Sequence, residues 1–200
     1  PLEKPRASLC LSSQVGCPLR CSFCLTGRHG FTRNLDADEI VGQFLRVRAL
    51  SDRPVTGAVF MGMGEPFLNY DNVIRAGYVL SEPGGGGVSA RAISISTAGV
   101  VPAIRRFTAE GHRFRLIVSL TAATPEKRAV HLPHEAAWPV DELADAIRAH
   151  AKARRTRVPV AWVMIKGFNT GADDAKALGR LLKGVPLIIN LIDVNDPEGK

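Results

Sequence analysis

Two hundred residues, 46% of them hydrophobic, suffice for one domain with its own core and are too few for two comfortable ones. No apolar run approaches the ~20 residues that cross a bilayer, which excludes a membrane-spanning helix. The net charge of +7 fits either a soluble surface rich in arginine or a polyanionic partner, since lysine and arginine gain by releasing counterions on nucleic acid.

In chain order, apolar β-branched runs predict strands at Ala7–Ser12, Gly57–Met61, Ala92–Ser96, Phe114–Leu120, Val160–Ile165 and Leu187–Ile192. Helical patterns fill the gaps. The first runs from Ala37 to Leu50, with Ile40, Phe44 and Val47 on one face and Asp36 with Glu39 as a capping pair. Others are predicted near Asp71–Leu80, Val101–Glu110, Val140–Ala153 and Ala172–Leu182. The glycine run 84–87 lies after a helix, the wrong side for a phosphate cradle, and reads as a flexible connection. Strands alternating with helices predict an α/β fold with a parallel sheet. At roughly 30 residues per βα unit the chain holds six units, so an open sheet and a partial barrel both fit and a complete eight-unit barrel does not.

All four cysteines fall between residues 10 and 24. Cys17, Cys21 and Cys24 form C-x3-C-x2-C in the loop after the first strand, and Cys10 sits on the strand itself. A disulfide framework suits a small secreted scaffold, and a domain with a real core does not need one. Four thiolates could also complete a tetrahedral zinc site, although zinc ligands usually come as two separated C-x2-C pairs. A cubane iron–sulfur cluster is the third reading and the one the spacing favours. Three thiolates would leave one of its irons open to a substrate.

The C-x3-C-x2-C loop resembles that of the radical S-adenosylmethionine (SAM) superfamily. The wider stretch CLSSQVGCPLRCSFCLTGRHGFTRNLDADEIVGQ is similar to the RlmN/Cfr type of adenosine C2/C8 RNA methyltransferase. VFMGMGEPFLNYDNV, ISTAGVVPAIRRF, VSLTAATPEKR and NLIDVNDPEG continue the likeness to the end of the chain. The resemblance implies a partial (β/α)6 barrel, TIM-like and of the radical SAM type. It implies a [4Fe-4S] cluster on Cys17, Cys21 and Cys24, and SAM held by Gly64, Glu65, Ser96, Ser119, Leu120, Thr121 and Asn195. Where the family has Ser-Leu-His this chain has Ser119-Leu120-Thr121, a shorter reach, and HLPHEAAWP replaces a Met-Pro-Ile/Val-Asn run.

The activity so implied is methylation of carbon 2 of adenosine in large-subunit ribosomal RNA, and also in transfer RNA. One SAM methylates a cysteine near the C-terminus. A second is cleaved to a 5′-deoxyadenosyl radical, which activates that methyl for addition to the base. Cys10 then breaks the protein–RNA adduct by forming a disulfide. The methyl-carrying cysteine is absent from these residues, so residues 1–200 are read as a radical SAM core lacking an N-terminal RNA-binding domain and a C-terminal segment. The implied electron donor is a flavodoxin or ferredoxin, and the implied state is a cytoplasmic monomer with no membrane partner.

Among the basic residues, Arg148, Lys152, Arg154, Arg155 and Arg157 fall at a helix C-terminus, where they complement the dipole. Arg28, Arg33, Asn34, Lys127 and Arg128 are better placed for RNA, on loops after strands, with Arg20, His29 and Lys166 in the same class. Two rival readings remain at this stage. One is a radical SAM enzyme with a non-RNA substrate, and the other a zinc-stabilised RNA-binding module without catalysis.

Overall fold

The computed structural model describes residues 6–194. Six strands hydrogen-bond in the order β1 (Ala7–Cys10), β4 (Val55–Phe60), β5 (Ile93–Thr97), β6 (Arg115–Ser119), β7 (Val158–Met164) and β8 (Leu187–Asp193). The pairs β1–β4, β4–β5, β6–β7 and β7–β8 are parallel. All six correspond to predicted runs. A separate antiparallel ribbon joins β2 (Gln14–Gly16) to β3 (Phe31–Asn34) and was not predicted. Its strands have three and four residues, too short for a period-2 pattern, and β3 is exposed along its whole length.

The chain divides into two compact units, one holding Pro18 and the residues before it, His29–Thr97 and His112–Leu116. The other holds Leu19–Arg28, Ala98–Gly111 and the chain from Ile117 onward.

In the first unit, α2 (Ala37–Leu50) starts where predicted, and Asp36 and Glu39 form the expected capping box. Ile40 and Phe44 are fully buried, but Val47, expected on the same face, lies in solvent. Gln43 ties α2 to the chain after β1, its amide accepting from Ser12 N at 2.9 Å and donating to Ser12 O at 3.1 Å. Helix α3 (Tyr70–Ser81) buries Val73, Ala76 and Leu80, and its Gly77 admits the Phe114 ring.

The glycine run is not the flexible connection its composition predicts. Gly86 N donates to Val79 O at 3.2 Å and Val88 N to Leu80 O at 3.0 Å, satisfying carbonyls that the end of α3 would leave open. A Cβ on Gly85 would lie 2.0 Å from Val79 O, and one on Gly86 would lie 2.5 Å from Leu80 O. Arg48 of α2 donates to Gly86 O at 2.7 Å, holding the turn from its other side. Gly85 and Gly86 sit tight against the helix end because only bare backbone fits there.

In the second unit, α4 (Val101–Glu110) packs on α6 (Val140–Arg154). Thr108 Oγ1 donates to Ile104 O and meets His150 Nδ1, each at 2.8 Å, while Phe107 stacks on the imidazole. Helix α7 (Ala172–Leu181) follows β7. The unpredicted α5 (Pro125–His131) begins with Thr124 capping and Pro125 in the first turn, and a 3-10 turn over Pro133–Ala136 follows it. Thr-Pro-Glu is itself a helix-start signal, so α5 could have been found.

Burial, with help from Arg154, lowers His150 from its ordinary value of 6.5 to about 4. Burial and the Arg128 charge lower His134 from 6.5 to about 4. Both rings are therefore neutral in the fold at pH 7. The unfolded chain binds these protons first, so stability falls as pH drops from 6.5 toward 4. A denaturation midpoint clearly lower at pH 5 than at pH 7 is expected; equal midpoints would remove both rings as a source of acid sensitivity.

Candidate active site

In the first unit, Cys10 is the last residue of β1 and its thiol is free and exposed. The chain beyond it runs against the Met61–Glu65 loop that follows β4. Gly62 N donates to Leu11 O at 3.0 Å, Met63 N to Ser12 Oγ at 3.0 Å and Ser13 N to Met63 O at 2.9 Å. Gly64 has φ +99°, and a Cβ there would lie 2.6 Å from the Gln14 side chain. Only glycine meets both demands without strain.

Glu65 is buried and its backbone N–H donates to Gln14 Oε1 at 2.8 Å. Its carboxylate Oε1 accepts from Phe67 N at 2.9 Å, capping the 3-10 turn Pro66–Asn69. The ordinary-turn role and a ligand role therefore coexist in one side chain. Gln14 also donates to Asn34 Oδ1 at 2.8 Å, so one amide joins the β2–β3 ribbon to the Gly64–Glu65 loop. Below it, Asn69 Nδ2 donates to Ser13 O at 2.8 Å and Leu35 O at 2.7 Å. Nothing in the composition of these stretches singles out Gln14 or Asn69, and sequence reasoning missed both.

Arg33 is committed as well. It makes two hydrogen bonds to Glu39, at 2.7 and 2.9 Å. The Arg33 guanidinium, together with the Asp36 N–H, holds the Glu39 carboxyl down to about 2. Ser96 lies on β5 and is buried.

In the second unit, Cys21 and Cys24 are half-buried and in no disulfide, with Cys24 N donating to Cys21 O at 3.1 Å. The short α1 (Leu25–Arg28) follows, and Arg28 at its end is exposed. Ser119 closes β6, and Leu120 and Thr121 come directly after it. Leu120 is fully buried; its N–H donates to Ala161 O at 2.9 Å and its carbonyl accepts from Arg128. Both backbone polar groups of Leu120 are thereby engaged inside the protein.

Thr121 has φ +61°, a strained conformation for a β-branched residue. Its carbonyl accepts from Asn169 Nδ2 at 2.6 Å, and Asn169 also donates to Val163 O at 2.7 Å. Thr121 Oγ1 is buried and makes no hydrogen bond within the described residues. An orphan hydroxyl on a strained backbone is what a ligand-facing residue presents before its ligand arrives.

Arg128, expected among the RNA contacts, is 0% exposed. Its Nε donates to Glu135 at 2.6 Å, and its other nitrogens to Leu120 O and Ala98 O. It cannot reach a phosphate. Lys127 keeps part of its side chain in solvent, but its Nζ pairs with Asp174 at 2.5 Å and donates to Phe168 O at 2.7 Å. His134 and Glu135 of the departing HLPHEAAWP stretch are buried too. His134 Nε2 meets Ala98 O at 3.2 Å, and its Nδ1 has no partner among the described residues. Asn195 lies outside the described residues.

Three cysteines within residues 17–24, none in a disulfide, match the donor chemistry of an iron–sulfur cluster. Among the described residues, no three Cys, His, Asp or Glu side chains group as ligands of a single metal ion. A cluster asks for less convergence, since each of its thiolates binds a different iron.

A family model described as the radical SAM superfamily matches residues 11–181. The chain belongs to the radical SAM superfamily. Enzymes of this superfamily use a [4Fe-4S] cluster and SAM. Among curated relatives, a probable RNA methyltransferase of Anaeromyxobacter sp. (strain Fw109-5) is 60% identical over all of this chain and 59% of its own length. A probable dual-specificity RNA methyltransferase RlmN of Heliobacterium modesticaldum is 45% identical over 98% of this chain and 52% of its own. The radical SAM methyltransferase structure from Sphaerobacter thermophilus superposes with TM-score 0.90 at 40% identity, over 96% of this chain and 57% of that one. The RlmN/Cfr-type resemblance and the partial α/β barrel expected from the sequence are both upheld. This radical SAM chain spans little more than half the length of the curated relatives it matches.

Proposed function

We propose that this chain is the radical SAM core of an RNA methyltransferase acting on carbon 2 of adenosine in large-subunit ribosomal RNA, and also in transfer RNA. Its identity over 98% of the chain to a relative named dual-specificity RNA methyltransferase RlmN carries the reading. Carbon 2 of adenine is electron-poor and cannot attack the methyl of SAM, so a radical route answers a real chemical need.

When bound, the [4Fe-4S] cluster supplies one electron and an open iron to SAM. Cys17, Cys21 and Cys24 would hold it. The Glu65 carboxylate takes the amino group of SAM while Gly64 lets the backbone approach. Ser96, Ser119 and the orphan Thr121 hydroxyl line the cosubstrate, with Asn195 in the same set. Cys10, free and exposed at the end of β1, is the thiol that releases the methylated base. Arg20 and Arg28 are exposed cations close in sequence to the cysteines, while Arg33, Asn34 and Lys127 would have to exchange internal partners to meet RNA. A flavodoxin or ferredoxin supplies the electron to a cytoplasmic monomer.

The test uses the full-length gene product, SAM carrying a labelled methyl group and ribosomal RNA fragments under anaerobic reduction. Label at carbon 2 of adenosine is expected. SAM cleavage with unlabelled RNA would overturn the RNA assignment and point to the non-RNA rival.

A further inference from the structure

The cysteine loop rests on α5. Ser22, beside Cys21, donates from its backbone N–H to the His131 carbonyl at 3.1 Å, and its hydroxyl meets His131 Nδ1 at 2.6 Å. Phe23 approaches the same imidazole edge-on, and Phe168 meets that ring at 4.3 Å between centroids. One turn earlier on the helix stands Arg128, at the i, i+3 spacing that puts it on the same side as His131.

No part of Arg128 is exposed, and its position is fixed from three directions by Glu135, Leu120 O and Ala98 O. Glu135 is itself anchored, accepting from Val140 N at 2.8 Å. Burial pushes the Arg128 guanidinium below its ordinary value, and Glu135 and, more weakly, Cys21 oppose that shift. Arginine stays protonated even so. A fixed charge in a poorly polarisable interior acts on its neighbours far more strongly than one in water.

We propose that Arg128 is a positioning residue of the cysteine loop, whose buried positive charge, tempered by Glu135, sets how readily a cluster held at Cys21 accepts an electron. The proposal rests on the reading that Cys17, Cys21 and Cys24 hold a [4Fe-4S] cluster. Reduction adds one electron from a one-electron protein donor and breaks no bond. A nearby positive charge stabilises the added negative charge and raises the potential. Glu135 works the other way, so neutralising each residue in turn should move the potential in opposite directions.

The experiment is a potentiometric titration of the anaerobically reconstituted full-length protein with dithionite, read by electron paramagnetic resonance. Arg128→Met should lower the midpoint by about 59 mV, a tenfold loss in reducibility for one electron. Glu135→Gln should raise it, and Arg128→Lys should leave it near the wild-type value. Equal midpoints in every variant, or shifts of the same sign in Arg128→Met and Glu135→Gln, would overturn the proposal, since loosened packing alone gives no sign reversal. Should Arg128→Met fail to fold, Glu135→Gln and Arg128→Lys still decide it. A wild-type protein that takes up no cluster overturns the cluster reading itself, whereas a cluster with an unmoved potential overturns only this inference.

Discussion

Replacing Cys21 by alanine is expected to abolish iron–sulfur loading and SAM cleavage together, while the protein without its cluster should keep its fold. The size of the effect follows from coordination arithmetic. Three thiolates leave one iron open by design, and a second bare iron has no ligand to fall back on. Among the described residues no histidine or carboxylate joins the cysteines as a substitute metal ligand. The fold should survive because Cys21 is only half-buried and its backbone contacts, including Cys24 N to Cys21 O, do not need the sulfur. Iron and sulfide analysis with visible absorbance measures loading and 5′-deoxyadenosine release measures SAM cleavage, with thermal melting as the folding control. Cys10→Ala is the matched comparison and keeps its cluster. A Cys21→Ala protein with wild-type iron content would end the assignment of the three loop cysteines.

Glu65→Gln is expected to weaken SAM binding by roughly ten- to hundredfold, the worth of one hydrogen bond to a charged group. Glutamine is the informative replacement because it keeps an acceptor for Phe67 N, so the 3-10 turn stays capped and only the charge is lost. Gln14 continues to accept from the Glu65 backbone, leaving the loop in place. Titration calorimetry should show the loss with iron content unchanged. An unaltered dissociation constant would take Glu65 out of the site and leave it as a cap alone.

The sheet strands and the long helices were legible because their burial is periodic: Ile40 and Phe44 recur on one helix face, and Ile93 and Ile95 on one strand face. The cysteine spacing was legible because ligand geometry forces residue type and separation together. The β2–β3 ribbon was not, since its side chains are polar or exposed and its pairing depends on partners far along the chain. Charge was the least reliable guide. Arg128 looked like a surface cation beside Lys127, yet Glu135 seven residues later supplies the carboxylate that lets it enter the interior. Gln14, Asn69 and Asn169 carry no signal at all, because bridging two backbone segments is a property of the folded chain.

The cap at the end of α3 makes mutational tolerance change abruptly along four identical residues. Each glycine surrenders more backbone entropy on folding than another residue would, roughly 0.5–1 kcal/mol relative to alanine. At Gly84 a methyl group would meet nothing within 4 Å, whereas one residue later it would strike the Val79 carbonyl. Drift and engineering alike are free to stiffen the first position, but the next two must keep their costly suppleness for want of room.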